Sequence, residues 1–428
     1  MSIVGITAEY DPFHAGHAYQ IRRARELSGA DHVVVLMSGF FTQRGEPAIY
    51  DPYRRTRAAL EGGADAVFMM PVSASTASAE GFASCGIRTL SGLGCDAVSF
   101  GVETGKKAGG PAEERSEDSL VRTVDAIQKA AEAGLCDNDD FGLTLRQLLK
   151  EGKTYPEAMA AAMGDGYADI FTPNNILAVE YMKALRRIGP ECPGGSGDSK
   201  DSRYPRMAEG DMKDSGYPLM KAVPVERIGH GYADDTYDSE DSGYPSASAL
   251  RKHLKETGAG DTVTADGLVP MLDAVVTRLL HEGRDLTEYA DVSPEIAGRI
   301  AHVGFIRCRT WEEAVLSVKT RQYTYARISR CLMHILLDIK KDGSRTGGAL
   351  CGRTSGDTAS YVPPLLLGFR RSSSEVLSEL TGRFVSKPAD AADILAADAY
   401  AADIYGRLCY AQTGTELPSL YASQRVII

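Results

Sequence analysis

The sequence predicts an α/β fold, a parallel sheet built by the first hundred residues and followed by a mainly helical C-terminal region. Three observations predict it. Short β-branched and apolar runs alternate with helical segments between Ile3 and Phe100. Helix start and stop residues stand between those runs at the spacing of βαβ units. From Ser246 to about Lys341 strand-like runs give way to helical periodicity.

Ile3–Ala8 is the first apolar run. His17–Leu27 carries apolar residues at Tyr19, Ile21 and Leu27 and stops near Gly29. His32–Met37 reads as a buried strand. Asp51-Pro52 is an N-cap followed by proline at the first helical position, and Gly62-Gly63 ends that helix. Ala66–Met70 is a third strand, Ala83–Leu93 a helix and Ala97–Phe100 a fourth strand. Strands joined this way pair in parallel through right-handed crossovers. A ligand then sits at their carboxyl ends, where the loops after Ala8, Met37, Met70 and Phe100 meet. Helical patterns follow at Ser119–Ala133, Leu143–Lys150, Pro156–Met163 and Ile176–Arg187. Residues 190–245 break the pattern with three polar near-copies, 198–205, 211–218 and 238–245. They have almost no apolar face to stack, so most of this stretch reads as a solvated insertion, with Ala222–Ile228 a strand returning to the sheet. The tail holds the apolar run Tyr361–Leu367 and alanine-rich helices at 389–412.

A chain of 428 residues has room for two or three domains. The division expected here is a ligand-binding domain over 1–255, with the polar insertion at about 190–221, and a helical region over 256–428. With 43% hydrophobic and 25% charged residues, a disordered or collagen-like chain is excluded. No apolar stretch reaches the ~18 residues of a membrane span, and the N-terminus lacks a basic leader, so a cytoplasmic protein is expected. None of the eight cysteines sits in a C-x-x-C pair or beside a histidine cluster, so no zinc site is read and reduced thiols are expected. The net charge of −11 argues against a nucleic-acid partner at first sight. Between Glu191 and Asp241, however, twelve acids face six bases. That segment carries −6, leaving −5 for the remainder and room for a local basic surface.

The chemistry concentrates in Thr7-Ala8-Glu9-Tyr10-Asp11-Pro12-Phe13-His14-Ala15-Gly16-His17, which joins the first strand to the first helix. Two imidazoles and free backbone amides at a helix N-terminus suit a phosphate, and Gly16 lets the backbone approach it. A second candidate is Ser246-Ala247-Ser248-Ala249-Leu250-Arg251-Lys252. There Ser246 or Ser248 can cap a helix while its amides and Arg251 hold β- and γ-phosphates.

H-x-G-H after the first strand resembles the nucleotidyltransferase superfamily that includes class I aminoacyl-tRNA synthetases, which bind ATP on a Rossmann-like sheet. A fuller resemblance is to the bacterial tRNA(Met) cytidine acetate ligases. It is carried in order by E-Y-D-P-F-H-A-G-H (9–17), M-S-G-F-F-T-Q-R-G-E-P-A (37–48), G-A-D-A-V (63–67) and S-F-G-V-E-T-G (99–105). T-P-N-N-I-L-A (172–178), E-R-I (226–228), S-A-S-A-L-R-K (246–252) and Y-T-Y-A-R-I-S-R (323–330) complete it. The resemblance implies a Rossmann-like nucleotidyltransferase domain and a two-step reaction. ATP and acetate give acetyl-adenylate, and acetyl then passes to the wobble cytidine of elongator tRNA(Met). It implies an ATP site formed by Thr7–Gln20, that is Thr7, Ala8, Glu9, Tyr10, Asp11, Pro12, Phe13, His14, Ala15, Gly16, His17, Ala18, Tyr19 and Gln20. Gly101, Asn174, Arg227 and Ile228 complete that site. His14 and His17 are expected to bring positive charge to the α-phosphate, with Ser246, Ser248 and Arg251 on the pyrophosphate side and magnesium bridging the phosphates.

Gly101 ends a strand, where a side chain would collide with a ligand. Asn174 offers a donor and an acceptor, or alternatively caps the helix before Ile176. For RNA, Arg321, Tyr323, Tyr325, Arg327 and Arg330 interleave bases and aromatics on a helix, or its tyrosines pack inward. Arg44, Arg54, Arg55 and Arg57 are a second cationic patch. The chain departs from the family in having Asp11 and Ala15 where Asn is usual, Ala178 for Gly, and Leu365 for a common Arg. Another HIGH-type adenylyltransferase, an acetate:protein ligase and a non-catalytic RNA- or adenine-nucleotide-binding protein are the competing readings. No protein partner is inferred.

Overall fold

The apolar runs between Ile3 and Phe100 form the centre of a seven-stranded sheet in this computed structural model. It describes residues 1–104, 117–135, 140–164, 167, 170–188, 220–228, 246–257, 261–341 and 361–428. The strands are β1 (Ile3–Ala8), β2 (His32–Ser38), β3 (Ala66–Met70), β4 (Ala97–Val102), β5 (Lys221–Glu226), β6 (Leu365–Phe369) and β7 (Val426–Ile427). Their order is β5-β4-β1-β2-β3-β6-β7. The first five pair in parallel, β6 runs antiparallel to β3, and β7 is parallel to β6. All of β2 and β3 is buried, as a parallel sheet covered on both faces requires.

The connecting helices are α1 (Ala15–Ser28), α2 (Pro52–Glu61), the short α3 (Val72–Ser75) and α4 (Ala79–Leu93). Their ends obey the local rules. Asp51 accepts from the Tyr53 and Arg54 amides at 2.9 and 3.0 Å, and Gly29 closes α1 at φ 67°, a conformation glycine adopts without strain. Next come α5 (Glu117–Ala133), α6 (Asp140–Lys150), α7 (Tyr155–Met163) and α8 (Pro173–Ile188). Beyond β5 lie α9 (Ala247–Thr257), α10 (Val269–His281), α11 (Pro294–Val303), α12 (Trp311–Val318) and α13 (Tyr325–Leu336), then α14 (Val376–Glu379) and α15 (Ala396–Thr413).

Strand alternation divides the core in two. On one face Ile3, Val34, Leu36, Phe68 and Phe100 pack with Ile87 of α4 and Val179 of α8. On the other, Val4, Ile6, Val33, Val35 and Met37 share a cluster with Leu332 of α13 and Tyr405 of α15. The helical C-terminal region therefore shares a core with the sheet, and it also supplies β6 and β7. Leu365 pairs with Met69 and is buried. In this chain the position where the family commonly carries Arg belongs to the core.

Most of the polar insertion, including the repeats 198–205, 211–218 and 238–245, lies outside the described residues; within it Lys221–Glu226 is a strand, as expected. No described helix is long and apolar enough to cross a membrane. The described cysteines, Cys85, Cys95, Cys308, Cys331 and Cys409, are free thiols.

Candidate active site

His14 occupies the N-cap of α1. Its Nδ1 accepts from the Gly16 amide at 3.0 Å, and His17 Nδ1 accepts from the His14 amide at 3.3 Å. The two rings lie 3.7 Å apart, inclined by 30°. Because both Nδ1 atoms accept, each neutral ring carries its proton on Nε2, a tautomer assigned from these bonds. His14 Nε2 is buried and has no partner. Gly16 is required by this packing: a Cβ there would fall 2.8 Å from His14 Cε1.

Burial, with the Arg227 and Arg251 guanidiniums nearby, pushes His14 down to about 4. Burial and the same neighbours, together with His14, hold His17 well below the ordinary histidine value. Without a bound anion both rings are thus held toward the neutral Nε2–H form, while the Arg227 and Arg251 guanidiniums supply positive charge beside them.

Those guanidiniums meet at the start of α9. Ser248 Oγ accepts from Arg44 Nη2 at 3.2 Å and from Arg251 Nη2 at 3.0 Å. Ser246 Oγ accepts from the Ala249 amide at 3.0 Å. Of the two serines, Ser246 thus caps the helix and Ser248 stands between the cations. Arg251 also donates to the Asp11 carbonyl and lies 3.7 Å from Asp11 Oδ2. Asp11 Oδ1 accepts from the Ile49 amide at 2.7 Å. Asp11 is buried; its carboxylate anchors the loop and counters Arg251.

At the end of β4, Glu103 organises the opposite wall. Its Oε1 accepts from Asn174 Nδ2 and lies 3.8 Å from Arg227 Nε. Asn175 is fully buried and locks the backbone here: it accepts from the Glu103 amide and donates to the Glu103 and Ile170 carbonyls. Thr172 Oγ1 accepts from the Asn175 amide, so Thr172 takes the capping role considered for Asn174. Gly101 stands in β4 beside Arg227. A Cβ there would lie 3.1 Å from Arg227 Cγ, so the glycine makes room for the arginine stem.

One cavity of about 490 Å³ joins these parts. Thr7, Ala8, Glu9, Tyr10, Asp11, His14, Gly16, His17, Tyr19 and Gln20 line it, with Gly101, Asn174, Arg227, Ile228, Ser246, Ser248 and Arg251. Pro12, Phe13, Ala15 and Ala18 are not among its lining residues; Phe13 packs edge-on against Tyr10 at 5.0 Å. Several lining residues escaped sequence reasoning as parts of this cleft. Gln43 and Arg44 come from the Q-R-G-E-P-A run after β2, Phe82 and Tyr181 from α4 and α8, and Ala326 and Arg330 from α13. The position of Q-R-G-E-P-A at a carboxyl strand end was the available signal for the first pair.

The arginine-tyrosine segment departs from its expected form. α13 begins at Tyr325, so Arg321 and Tyr323 precede the helix. Tyr323 donates to Glu295 at 2.9 Å and Tyr325 to Glu46 at 3.4 Å. Both rings pack against the core. Arg330 pairs with Asp291 at 3.1 Å. Arg321 is exposed, as is Arg327, which covers the Tyr323 ring at 5.0 Å. Arg55 does not belong to a surface patch. It is 1% exposed and donates to the carbonyls of Glu9, Ser38, Gly39 and Tyr50, binding the loops after β1 and β2 together. Arg54, over the Tyr50 ring at 3.7 Å, and Arg57 are exposed.

Paired imidazoles opening a helix on a parallel sheet, faced by a serine turn with two guanidiniums, define a nucleotidyltransferase of the HIGH type. The sequence profile of the family described as HIGH Nucleotidyl Transferase matches residues 1–192 and 214–417. The tRNA(Met) cytidine acetate ligase of Lysinibacillus sphaericus is 29% identical over 441 residues, covering 95% of this chain and 94% of its own. That of Acetivibrio thermocellus is 30% identical over 414 residues, covering 89% and 86%. Within the HIGH nucleotidyl transferases, the chain belongs to the tRNA(Met) cytidine acetate ligase family. Crystal structures of Thermotoga maritima TmcAL, one apo and one bound with alpha-thio ATP, share the fold with TM-scores of 0.74 and 0.73 at 20% identity. Each comparison covers 100% of this chain and 99% of that one.

Proposed function

We propose that this chain activates acetate with ATP and transfers the acetyl group to the wobble cytidine of elongator tRNA(Met). The observation that carries the reading is the stacked His14–His17 pair, whose Nε2–H donors share one cleft with Arg44, Arg227 and Arg251. Acetate is ionised at neutral pH and needs no base. Its oxygen attacks the α-phosphorus, the bond to the bridging oxygen breaks, and pyrophosphate leaves. His14 and His17 donate to the α-phosphate oxygens as charge develops there. Arg44 and Arg251, with the amides opening α9, receive the charge on pyrophosphate. Thr7–Gln20, Gly101, Asn174 and the Arg227-Ile228 pair enclose the rest of the nucleotide.

In the second step the exocyclic nitrogen of cytidine bonds to the acetyl carbon. The carbon–oxygen bond to AMP breaks, AMP departs, and the nitrogen loses one proton. A cytidine in a single-stranded loop is unstacked at little cost. Residues 1–255 carry the chemistry and 256–428 contribute to tRNA binding, with Arg321 and Arg327 on phosphates and Tyr325 and Arg330 shaping the surface beside the cleft. Among the described residues no three His, Cys, Asp or Glu side chains are placed to hold a metal. Magnesium, if it bridges the phosphates, would be held mainly by phosphate oxygens and water rather than by a cage of side chains. A tRNA substrate and reduced thiols fit work in the cytoplasm.

Incubation with ATP, acetate and elongator methionine tRNA should yield N4-acetylcytidine at the wobble position, read by nucleoside mass spectrometry. An authentic cognate tRNA left unacetylated would overturn the proposal.

A further inference from the structure

The second step needs an acceptor for the proton that the cytidine nitrogen loses, and the cleft holds a carboxylate oxygen suited to it. Among the described residues, Glu9, Asp11 and Glu226 are the acidic side chains that line the cavity. Asp11 is buried and held between the Ile49 amide and Arg251. Glu226, at the end of the edge strand β5, accepts from Thr104 Oγ1 at 2.6 Å. Glu9 directly follows β1 at the carboxyl edge of the sheet, in the loop that leads to His14 and His17.

Glu9 is fixed at both ends. Its carbonyl accepts from Arg55 Nη1 at 2.6 Å, and its Oε1 accepts from the Gln43 amide at 2.7 Å. One carboxylate oxygen is thereby anchored and the other is not. Among the described residues Oε2 accepts no hydrogen bond, and it is not sealed from the cleft. The residue is partly exposed and lines the cavity. A carboxylate accepts through either lone pair of a free oxygen, so the group needs no further orientation. Arg44 from the connection after β2, Arg55 from α2, Arg251 from α9 and Tyr181 from α8 lie within electrostatic reach, with Asp11 on the same loop. Burial is the largest influence and raises the carboxyl above the ordinary carboxylate value, against Arg44 and the Gln43 amide. That direction improves a carboxylate as a proton acceptor near neutral pH.

Resting on the acetyl-transfer reading above, we propose that Glu9 is the general base of the second step, its Oε2 taking the proton from the exocyclic amine of cytidine. As the nitrogen bonds to the acetyl carbon, the bond from that carbon to the adenylate oxygen breaks. AMP leaves with that electron pair, and the amine proton passes to Oε2. From there it goes to water as the products leave, which the partial exposure of Glu9 permits. The exocyclic amine is a weak nucleophile because its lone pair is delocalised into the ring, so removing its proton as the bond forms lowers the barrier. The first step has no proton to move, since acetate enters ionised. Glu9 therefore acts as a base in transfer alone.

Single-turnover transfer from added acetyl-adenylate to elongator methionine tRNA bypasses the first step. It is followed against pH in wild type, Glu9→Gln and Glu9→Asp. Wild-type transfer should slow on the acid side as the carboxyl takes up a proton. Glu9→Gln, of the same shape but without the base, should lose about 100-fold in maximal rate and its acid-side dependence with it. The loss should lie in the rate at saturating tRNA, not in the tRNA concentration that half-saturates it. Glu9→Asp should restore a slower reaction that again depends on pH, which a misfolded protein would not. An acid limb that persists in Glu9→Gln would overturn the assignment, the proton then being carried by the adenylate's own phosphate. A defect confined to tRNA binding would overturn it as well. Wild type that transfers nothing from acetyl-adenylate would instead overturn the acetyl-transfer reading itself.

Discussion

His14 and His334 are both buried imidazoles, and burial lowers the pKa of both, yet they are wired in opposite ways. Both ring nitrogens of His334 meet backbone: Nδ1 lies 2.9 Å from the Ala290 carbonyl and Nε2 3.0 Å from that of Thr76. The ring ties α13 to the segment after α3. His14 has only its Nδ1 engaged, and its Nε2 is left over at the cleft. The arginines repeat the contrast. Arg55 spends its guanidinium on four carbonyls, whereas Arg44 and Arg251 converge on Ser248 beside the histidines. Burial and a shifted pKa are therefore common to structural and functional residues. What separates these two is that His334 has both nitrogens engaged by its neighbours, whereas His14 belongs to the cleft lining and keeps an unpaired Nε2.

The contrast can be broken by substitution. His334→Ala should lower stability by on the order of 3 kcal/mol, because it opens a cavity and removes the hydrogen bond that a neutral ring donates to a buried backbone carbonyl. Per folded molecule, its pyrophosphate exchange should be unchanged. His14→Ala loses a cap worth only about 1 kcal/mol and should lose exchange instead. Denaturant unfolding beside the exchange assay checks both, and equal destabilisation by the two would erase the distinction.

A smaller effect appears on titration. The folded pKa of His14, about 4, lies below its ordinary 6.5. Its contribution to stability is therefore present above 6.5 and lost as pH falls through 4. Asp398, at the seam between α15 and α3, accepts from the Val72 amide at 2.8 Å. Burial pushes it from 3.8 to about 7, so its contribution is present below 3.8 and lost as pH rises through 7. The stability of wild type relative to His14→Gln should rise between pH 4 and 6.5, and relative to Asp398→Asn should fall between pH 4 and 7. Parallel slopes would show that cleft and seam are not electrostatically distinct.

Much of this was legible in the amino-acid sequence, for local reasons. Caps, glycine stops and β-branched runs report on their own neighbourhood, so α2, β3 and the β1–α1 turn could be placed from residues alone. His14 and His17 were legible because their spacing and their position opening a helix coincide. Long-range choices were not. Nothing in S-A-S says which serine caps and which meets two arginines. Arg55 reads as a surface cation because the carbonyls that surround it come from two separate connections, those after β1 and β2. That Gly101 also lies against the Arg227 stem is visible only once the two are brought together. Leu365 sits in an apolar run whose pairing with β3 no periodicity reveals.

The central claim is that two neutral imidazoles at the first strand–helix junction hold the triphosphate while acetate is adenylylated. Acetate-dependent exchange of labelled pyrophosphate into ATP, without tRNA, tests it in wild type and His17→Ala. Wild type should exchange, and the variant should fall by about 100-fold with its unfolding transition preserved. Equal exchange by the two proteins would contradict the claim.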